Sequence, residues 1–265
     1  MKRRSAALSI AWLVSLFGTH AAAQERFEAA IGLWIPRADI VIASDGRSGP
    51  GTPVDLRQDA GLTDSQFPVI SGAWRVASRH RIRFEFMPIS YDSSATLRRD
   101  VDFTGATFPK GTAVNSTFDW TSYAAGYEYA FVLRRTWTAG VIVAARQTDI
   151  EERLSSAAVT QARRTRVPVP LVGGSLHLNP ADRVSLAFEC TGFKVPNSAD
   201  RHYGGHYLDA EVRGTVDVLT GPARAGHYAA GLQAGYRVVD IFHLGESDSA
   251  TMTVKGVYVG VVVRR

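Results

Sequence analysis

Cysteine is almost absent from this chain of 265 residues, because Cys190 is the only one. A single thiol excludes an internal disulfide framework. Cys190 continues an apolar alternation through Leu186 and Phe188. This position favours a small hydrophobic residue over a reactive thiol.

Long apolar runs are also lacking beyond the N-terminus. No later stretch approaches the roughly 20 residues that a membrane-spanning helix requires, and helical periodicity is scarce. The best helix-like piece is Val54–Leu62, where Asp55–Asp59 is interpreted as a short solvated helix in a loop. Glycine is plentiful, with 24 residues, and aromatic residues make up 10% of the chain. These values are typical of an all-β protein with alternating polar and apolar residues.

Local motifs for catalysis are missing as well. The chain has no phosphate-cradling glycine loop, no CxxC pair and no nucleophile elbow. The sequence therefore predicts no cofactor and no nucleotide chemistry.

The N-terminus has the three parts of a bacterial secretory signal. A cationic cluster, Lys2–Arg4, precedes the apolar run Ala6–Phe17, and Ala21 and Ala23 form an A-x-A cleavage arrangement. Residues 1–23 are therefore predicted to be a signal peptide and residues 24–265 the mature domain. Removing three positive charges and no acids lowers the net charge from +5 to +2. So small a charge does not indicate a nucleic-acid partner.

The stretch HYLDAEVRGTVDVLTG, from His206, alternates strictly between apolar and charged residues from Leu208 onward. Successive side chains of a strand point to opposite faces, so the stretch has one apolar and one ionic face. A soluble sandwich exposes the ionic face to solvent. A membrane barrel turns the apolar face to lipid and encloses the charges.

About ten strands of this kind follow one another, from Arg26–Ile35 to the terminal GVYVGVVVRR. The links after even-numbered strands are short turns, whereas those after odd-numbered strands are mostly longer. The two longest links are Pro36–Gln66 and Asp92–Gly111. Sorting of loops by parity is typical of membrane barrels with short periplasmic turns and long external loops. We expect one all-β domain, a closed antiparallel up-and-down transmembrane β-barrel of about ten strands, with eight as the alternative.

The non-apolar face of these strands combines small residues with charges of both signs. A narrow barrel needs small residues inside, and enclosed charges must pair with one another. We therefore predict a lumen charge network made of Glu28, Arg83, Glu85, Glu128, Arg146, Glu189, Asp209, Glu211, Arg213, Asp217 and Arg237.

The signal segment, the alternating strands and the terminal strand together resemble small Gram-negative outer-membrane β-barrel proteins of the OmpA/OmpX-like and porin-like kind. The resemblance implies an outer-membrane location and contact with membrane lipids and the barrel assembly machinery. Such barrels usually end in an aromatic residue, whereas this chain ends in Arg264 and Arg265. Barrel lipases in this group use His-Ser pairs, and no histidine here has a serine two positions on.

A weaker catalytic signal lies in ADRHYGGHYLD, where Asp200, His202, His206 and Asp209 echo the acid and histidine pairs of barrel proteases. A histidine beside a carboxylate can activate water. His202 and His206 could also join a carboxylate as metal ligands. A polar loop tip explains the same residues, and we predict neither a catalytic site nor a bound metal.

The sequence therefore predicts a non-enzymatic outer-membrane barrel with a narrow charged lumen. Its role would be structural, or interaction at the cell surface, or a narrow selective pore, since an open aqueous channel needs about 16 strands. External Arg98, Arg99 and Lys110 are predicted to contact lipopolysaccharide. The alternatives are a barrel hydrolase acting at the extracellular rim and a soluble periplasmic lipocalin-like binder.

Overall fold

The computed structural model describes residues 26–43, 51–196, 204–223, 226–245 and 248–265. The predicted signal peptide, Asp200 and His202 therefore lie outside the described residues. The strands are β1 (Phe27–Ala43), β2 (Val54–Asp55), β3 (Phe67–Ala77), β4 (His80–Thr96), β5 (Val101–Phe103), β6 (Ala106–Phe108), β7 (Ala113–Leu133), β8 (Trp137–Ser155), β9 (Thr160–Ala181), β10 (Val184–Val195), β11 (Gly204–Ala223), β12 (Gly226–Leu244) and β13 (Ser249–Arg264).

Ten of these strands form a closed antiparallel barrel, so the predicted fold class is confirmed and the eight-strand alternative is wrong. Each long strand pairs with the next long strand in the chain, in up-and-down order. The barrel closes where β1 pairs with β13, from Glu28 opposite Arg264 to Ala43 opposite Ser249. The described residues include no helix long and apolar enough to cross a membrane.

The two ends of the barrel differ in their connections. At one end, here called the turn end, two residues join β3 to β4, three join β7 to β8, and two join β9 to β10. The start of β1 and the end of β13 also lie there, because the backbone N–H of Phe27 donates to the carbonyl oxygen of Arg265. The opposite end, here called the loop end, carries the longer links, which include the described residues 51–66 and 97–112. The predicted parity of link lengths is confirmed.

The half of the barrel nearer the turn end has an apolar exterior and is called the membrane tier. On β1, Ile31, Leu33 and Ile35 face outward and are 44–52% exposed. On β13, every second residue from Val257 to Val263 does the same. Outward tyrosines and tryptophans accompany them, including Tyr129 and Trp137. Exposing so large a continuous apolar surface to water would be unfavourable. The band instead matches the lipid-facing exterior of membrane barrels.

Above this band the polarity of the two faces is reversed, and this half is called the projecting tier. The outward series on β1 changes from Ile35 to Arg37 and Asp39, while the inward Ile40 and Ile42 are buried. The projecting tier is therefore built like a soluble barrel, with its apolar side chains inside. Its buried core includes Ile40, Ile42, Ile89, Tyr91, Phe118, Trp120, Leu154, Val239, Met252 and Val254.

This reversal corrects the predicted loop boundaries. Pro36–Gln66 was expected to be a polar loop, but β1 continues to Ala43. Likewise β4 continues into the expected irregular stretch Asp92–Gly111, as far as Thr96. Outward polar residues in these segments meet water rather than lipid, so they are compatible with long strands.

The first long link also differs from its prediction. Asp55–Asp59 is not a solvated helix, because Asp55 pairs with Val41 on β1 and the chain then turns. Leu56, Ala60 and Leu62 are buried in the core of the projecting tier. The link therefore fills the barrel wall beside β1 instead of extending into solvent.

Candidate functional site

Two arginines and two carboxylates form the centre of the lumen in the membrane tier. Nη2 of Arg146 lies 3.0 Å from Glu85 Oε1 and 3.0 Å from Asp209 Oδ2. Nη2 of Arg237 donates to the same two oxygens, at 2.7 and 2.6 Å. These side chains come from β4, β8, β11 and β12, so the group ties together strands that are not all neighbours in the wall.

A second group continues this network toward the turn end. Arg83 forms ion pairs with Glu189 and, at 3.4 Å, with Glu128. Arg213 pairs with Glu189 at 3.2 Å and with Glu211 at 3.5 Å. Each acid of this group therefore faces at least one guanidinium, as enclosed charges require.

Polar residues on β9 complete the coordination of Glu128. The Ser175 hydroxyl donates to Glu128 Oε1 at 2.5 Å, and His177 Nε2 lies 3.2 Å from the same oxygen. His177 therefore makes its contact on the inner face of β9. A glycine, Gly140, lies between these groups, where a Cβ would be 3.0 Å from the Ser175 hydroxyl.

The turn end carries a third group that sequence reasoning only partly identified. Glu28 pairs with Arg81 at 3.0 Å and with Arg264 at 3.2 Å, and Arg264 also reaches Asp217 at 3.3 Å. Arg81 was missed although it shares the parity of Arg83. Arg264 was missed because it was treated as an unusual terminus, although the outward valines of β13 already place it on the inner face.

The structure thus places all eleven predicted lumen residues in ion pairs on the inner face, together with Arg81 and Arg264. The central group of Glu85, Arg146, Asp209 and Arg237 forms one cluster, and Arg81 joins the other two groups by pairing with both Glu28 and Glu128. The space left between them is a cavity of about 100 Å³. Since each water needs about 10–15 Å³ of such volume, this space is large enough for only a small cluster of waters. The carboxylates here face guanidinium groups, which balance their charge.

Aromatic side chains separate the charged lumen from the apolar core above it. The Arg237 guanidinium carbon lies 5.8 Å from the centroid of the Trp34 ring, and that of Arg146 lies 5.6 Å from the Tyr207 ring. Both distances are within cation–π range. Trp34 and Tyr207 are buried, so they cover the ion pairs on the side facing the projecting tier.

A smaller polar group lies at the mouth of the barrel, above the lipid-facing band. Arg163 forms an ion pair with Asp248, and His243 Nε2 lies 3.7 Å from the same carboxylate. Glu152 is opposite Arg163 in the β8–β9 register, and its Oε2 is buried without a hydrogen-bond partner. Burial raises the pKa of Glu152 to about 7, and Asp248 adds to the rise while Arg163 opposes it.

The predicted rim cluster is not brought together by its described members. His206 lies on the outer face, where Nε2 is 2.7 Å from Asp240 Oδ2. Asp209 points into the lumen and binds Arg146 and Arg237. Their opposite parity on β11 puts the barrel wall between them, which the sequence spacing alone did not reveal. Among the residues that the structure describes, no group of three or more His, Cys, Asp or Glu could hold a metal ion.

The predicted lipopolysaccharide contacts lie at the loop end. Arg99 Nη2 lies 2.8 Å from Asp59 Oδ2 and also donates to the carbonyl oxygen of Pro53, so this guanidinium holds two links together. Arg98 and Lys110 are exposed. Two further basic residues, Arg37 and Lys255, face outward at the top of the lipid-facing band. They lie opposite each other in the β1–β13 register.

A closed barrel with an apolar outer band and an ion-paired lumen defines the class: this is a membrane-spanning β-barrel of the bacterial outer-membrane type. No family model matches the chain, and no curated protein matches it either. Solved structures do. The outer membrane protease OmpT from Escherichia coli superposes with a TM-score of 0.58 at 7% identity, over 93% of this chain and 99% of that one.

Two other similar structures superpose less well. The translocator domain of the autotransporter NalP from Neisseria meningitidis gives a TM-score of 0.39 at 10% identity, covering 97% of this chain and 92% of that one. Ail, the attachment invasion locus protein of Yersinia pestis, gives 0.36 at 10% identity, covering 89% and 99%. The superposition on OmpT, at 7% identity, establishes the fold alone.

Proposed function

We propose that this protein is a non-enzymatic, non-conducting outer-membrane barrel whose projecting tier serves as a rigid surface for interactions outside the cell. The observation that supports this is the filled interior. The lumen of the membrane tier is crossed by ion pairs, and the projecting tier above it is closed by a buried apolar core. Of the roles predicted from the sequence, these contacts favour a structural or surface-interaction role over a selective pore.

Conductance across a planar lipid bilayer tests the filled interior. The native protein is expected to give no stable current steps. Removing a whole ion pair, Arg83→Ala with Glu189→Ala, keeps the net charge constant and widens only the lumen of the membrane tier, so the apolar core above it is expected to keep this variant closed as well. Stable current steps from the native protein would contradict the proposal.

Lipopolysaccharide is the proposed partner in the outer leaflet. The contacts predicted at Arg98, Arg99 and Lys110 are joined by Arg37 and Lys255, which face outward where the apolar band ends. Phosphate groups attract such cations at a membrane surface. Arg37→Ala with Lys255→Ala is expected to weaken lipopolysaccharide retention on the purified barrel more than the triple alanine variant of Arg98, Arg99 and Lys110. Equal retention by all three proteins would contradict it.

Export and assembly complete the proposal. Residues 1–23 would direct secretion, and the barrel assembly machinery would insert residues 24–265. N-terminal sequencing of the protein from outer membranes is expected to begin at Gln24. An N-terminus that retains Met1 would contradict the proposed cleavage.

A hydrolase acting at the extracellular rim is the second candidate function. The polar group at the mouth of the barrel favours it. Glu152, Asp248 and His243 put a carboxylate with a raised pKa near a histidine–carboxylate pair, a combination suited to proton transfer. Hydrolysis of a panel of peptide and ester substrates, lost in His243→Ala but kept in the outer-wall control His206→Ala, would establish this candidate. Absence of hydrolysis by the native protein would remove it.

A further inference from the structure

The barrel wall separates between β9 and β10 in its upper part. These strands pair from Ala181 up to Val172, which lies opposite Gly192. Beyond that point β9 continues to Thr160 while pairing only with β8, and β10 continues to Val195 while pairing only with β11, among the residues that the structure describes. The space between residues 160–171 of β9 and residues 193–195 of β10 is called the lateral slot.

Two prolines explain why the pairing ends there. The β8–β9 ladder runs unbroken past Pro168 and Pro170. Since proline has no N–H, the bonds of this ladder must come from the odd-numbered residues, and the nitrogens of both prolines face β10. A strand edge without these donors cannot hold a neighbour, which is why proline is confined to edges.

The wall has a second interruption, beside β4, and other residues of the chain fill that gap. β3 begins only at Phe67, so β4 has no strand partner on that side above Phe86. There the first long link fills the gap with buried Leu56 and Leu62, and Phe67 packs edge-on against Tyr91 with ring centroids 4.9 Å apart. No described residue fills the lateral slot in this way.

The lateral slot is instead lined by apolar side chains of inward parity that are still accessible. Val167 is 44% exposed, Phe193 41% and Val195 44%, whereas other apolar residues of inward parity in this tier, such as Ile40, Ile89 and Val239, are buried. Val169 lies between them, partly buried against the core. The slot therefore presents an apolar surface that leads inward through the wall.

Unpartnered polar atoms lie at the inner end of the slot. Tyr207 is opposite Phe193 in the β10–β11 register, and Thr148 is opposite Val167 in the β8–β9 register. The hydroxyl oxygens of both are buried and have no hydrogen-bond partner. A buried hydroxyl without a partner has a free-energy cost, because it has lost its hydrogen bonds to water. A bound molecule with an oxygen acceptor would remove that cost.

The base of the slot lies at the level of the lipid. Directly below it, Val172 on β9 and Leu208 on β11 face outward and are 63% and 40% exposed. We propose that the lateral slot admits one acyl chain of an outer-leaflet lipid, whose ester or hydroxyl oxygen accepts hydrogen bonds from Tyr207 and Thr148. This binding role goes beyond the proposed structural function and does not require a conducting lumen.

Photo-crosslinking tests the proposal in lipid nanodiscs containing a phosphatidylcholine with a diazirine in its acyl chain. After irradiation, digestion and mass spectrometry, labels are expected on the inward residues Val167, Val169 and Phe193 as well as on outward Val172. Inward Val254, fully buried behind an intact wall, is the internal control and should stay unlabelled. Labels confined to outward residues would overturn the proposal.

A matched pair of variants tests the cause. Pro168→Thr with Pro170→Thr restores two backbone donors to the slot edge and is expected to lower inward labelling at least fivefold, with labelling of Val172 unchanged. The control substitution Pro88→Thr, on the sealed edge of β4, should change neither the inward labelling nor the labelling of Val172. Heat-modifiable migration on a gel confirms folding, and the single Pro168→Thr replaces the double variant if that one does not fold. Undiminished inward labelling in a folded variant would overturn the proline-edge explanation.

Discussion

The membrane tier and the projecting tier use one backbone with opposite polarity. In the membrane tier the valines of β13 face lipid, while Arg146 and Arg237 are enclosed with their carboxylates. In the projecting tier Ile40 and Ile89 are enclosed, while Asp39 and Ser90 face water. Strand alternation thus supplies two faces, and the surrounding solvent decides which of them is apolar. On β1 the outward face changes between Ile35 and Arg37, and this change locates the outer boundary of the lipid-facing band.

The largest expected effect comes from breaking the charge network of the membrane tier. Arg237→Leu leaves Glu85 and Asp209 with Arg146 as their remaining guanidinium. Removing one partner of an enclosed ion pair costs about 3–5 kcal/mol. Urea unfolding of the detergent-folded barrel, followed by tryptophan fluorescence, measures this loss. If the variant unfolds at the native urea concentration, the network does not stabilise the membrane tier.

A matched pair of arginine substitutions tests the boundary between the tiers. Val261 faces outward in the membrane tier, whereas Val41 faces outward in the projecting tier. Val261→Arg is expected to cost about 2–4 kcal/mol because an arginine near the bilayer midplane is strongly destabilising. Val41→Arg should change stability by less than about 0.5 kcal/mol, as for an exposed substitution in water. Unfolding in lipid vesicles compares them, and equal costs would disprove the two-tier description.

Glu152 in the projecting tier provides a pH-dependent contrast. Burial raises its pKa to about 7 from 4.5, so the folded state binds this proton more tightly than the unfolded state. Its burial therefore costs little below pH 4.5, and the cost grows as the pH rises toward 7. A shift of this size corresponds to about 3 kcal/mol.

Glu152→Gln is expected to raise the free energy of unfolding by up to that amount at pH 8. At pH 4.5 the gain should shrink to near zero. Unfolding curves at both pH values make the comparison, with Glu151→Gln, on the outward face of the same strand, as the control. A gain that is equal at both pH values would contradict a raised pKa.

The smallest effect is expected on the outer surface of the projecting tier. Asp149 accepts hydrogen bonds from both Arg164 and Arg166, yet exposed ion pairs contribute little to stability. Asp149→Asn should leave the unfolding midpoint unchanged within error. A loss comparable to that of Arg237→Leu would mean that outer-surface pairs stabilise the barrel as strongly as enclosed ones.

The sequence was sufficient to predict the membrane tier, because lipid on one side and a narrow lumen on the other impose a strict alternation. Strand number, link parity and the inward charges follow from that pattern. The projecting tier could not be predicted in the same way. The sequence pattern there is typical of a loop, because proline and small residues such as Pro36 and Ala38 face inward while polar residues such as Asp39 face outward.

Long-range register set the remaining limits. His206 and Asp209 are close in sequence but lie on opposite faces of the wall, and Glu152 meets Asp248 only after the chain has passed around the barrel. The lateral slot was hidden for a similar reason. The sequence shows Pro168 and Pro170, but only the observed ladders show which neighbour loses its donors.

The contact of Glu28 with Arg264 has a consequence for assembly. The two residues belong to the first and last strands, and their side chains meet 3.2 Å apart inside the barrel. They can pair only after every intervening strand has taken its place in the correct order. In a barrel that has not closed, Glu28 and Arg264 would each lack the other as a partner in a low-dielectric environment. The pair therefore stabilises the closed barrel relative to partly assembled forms.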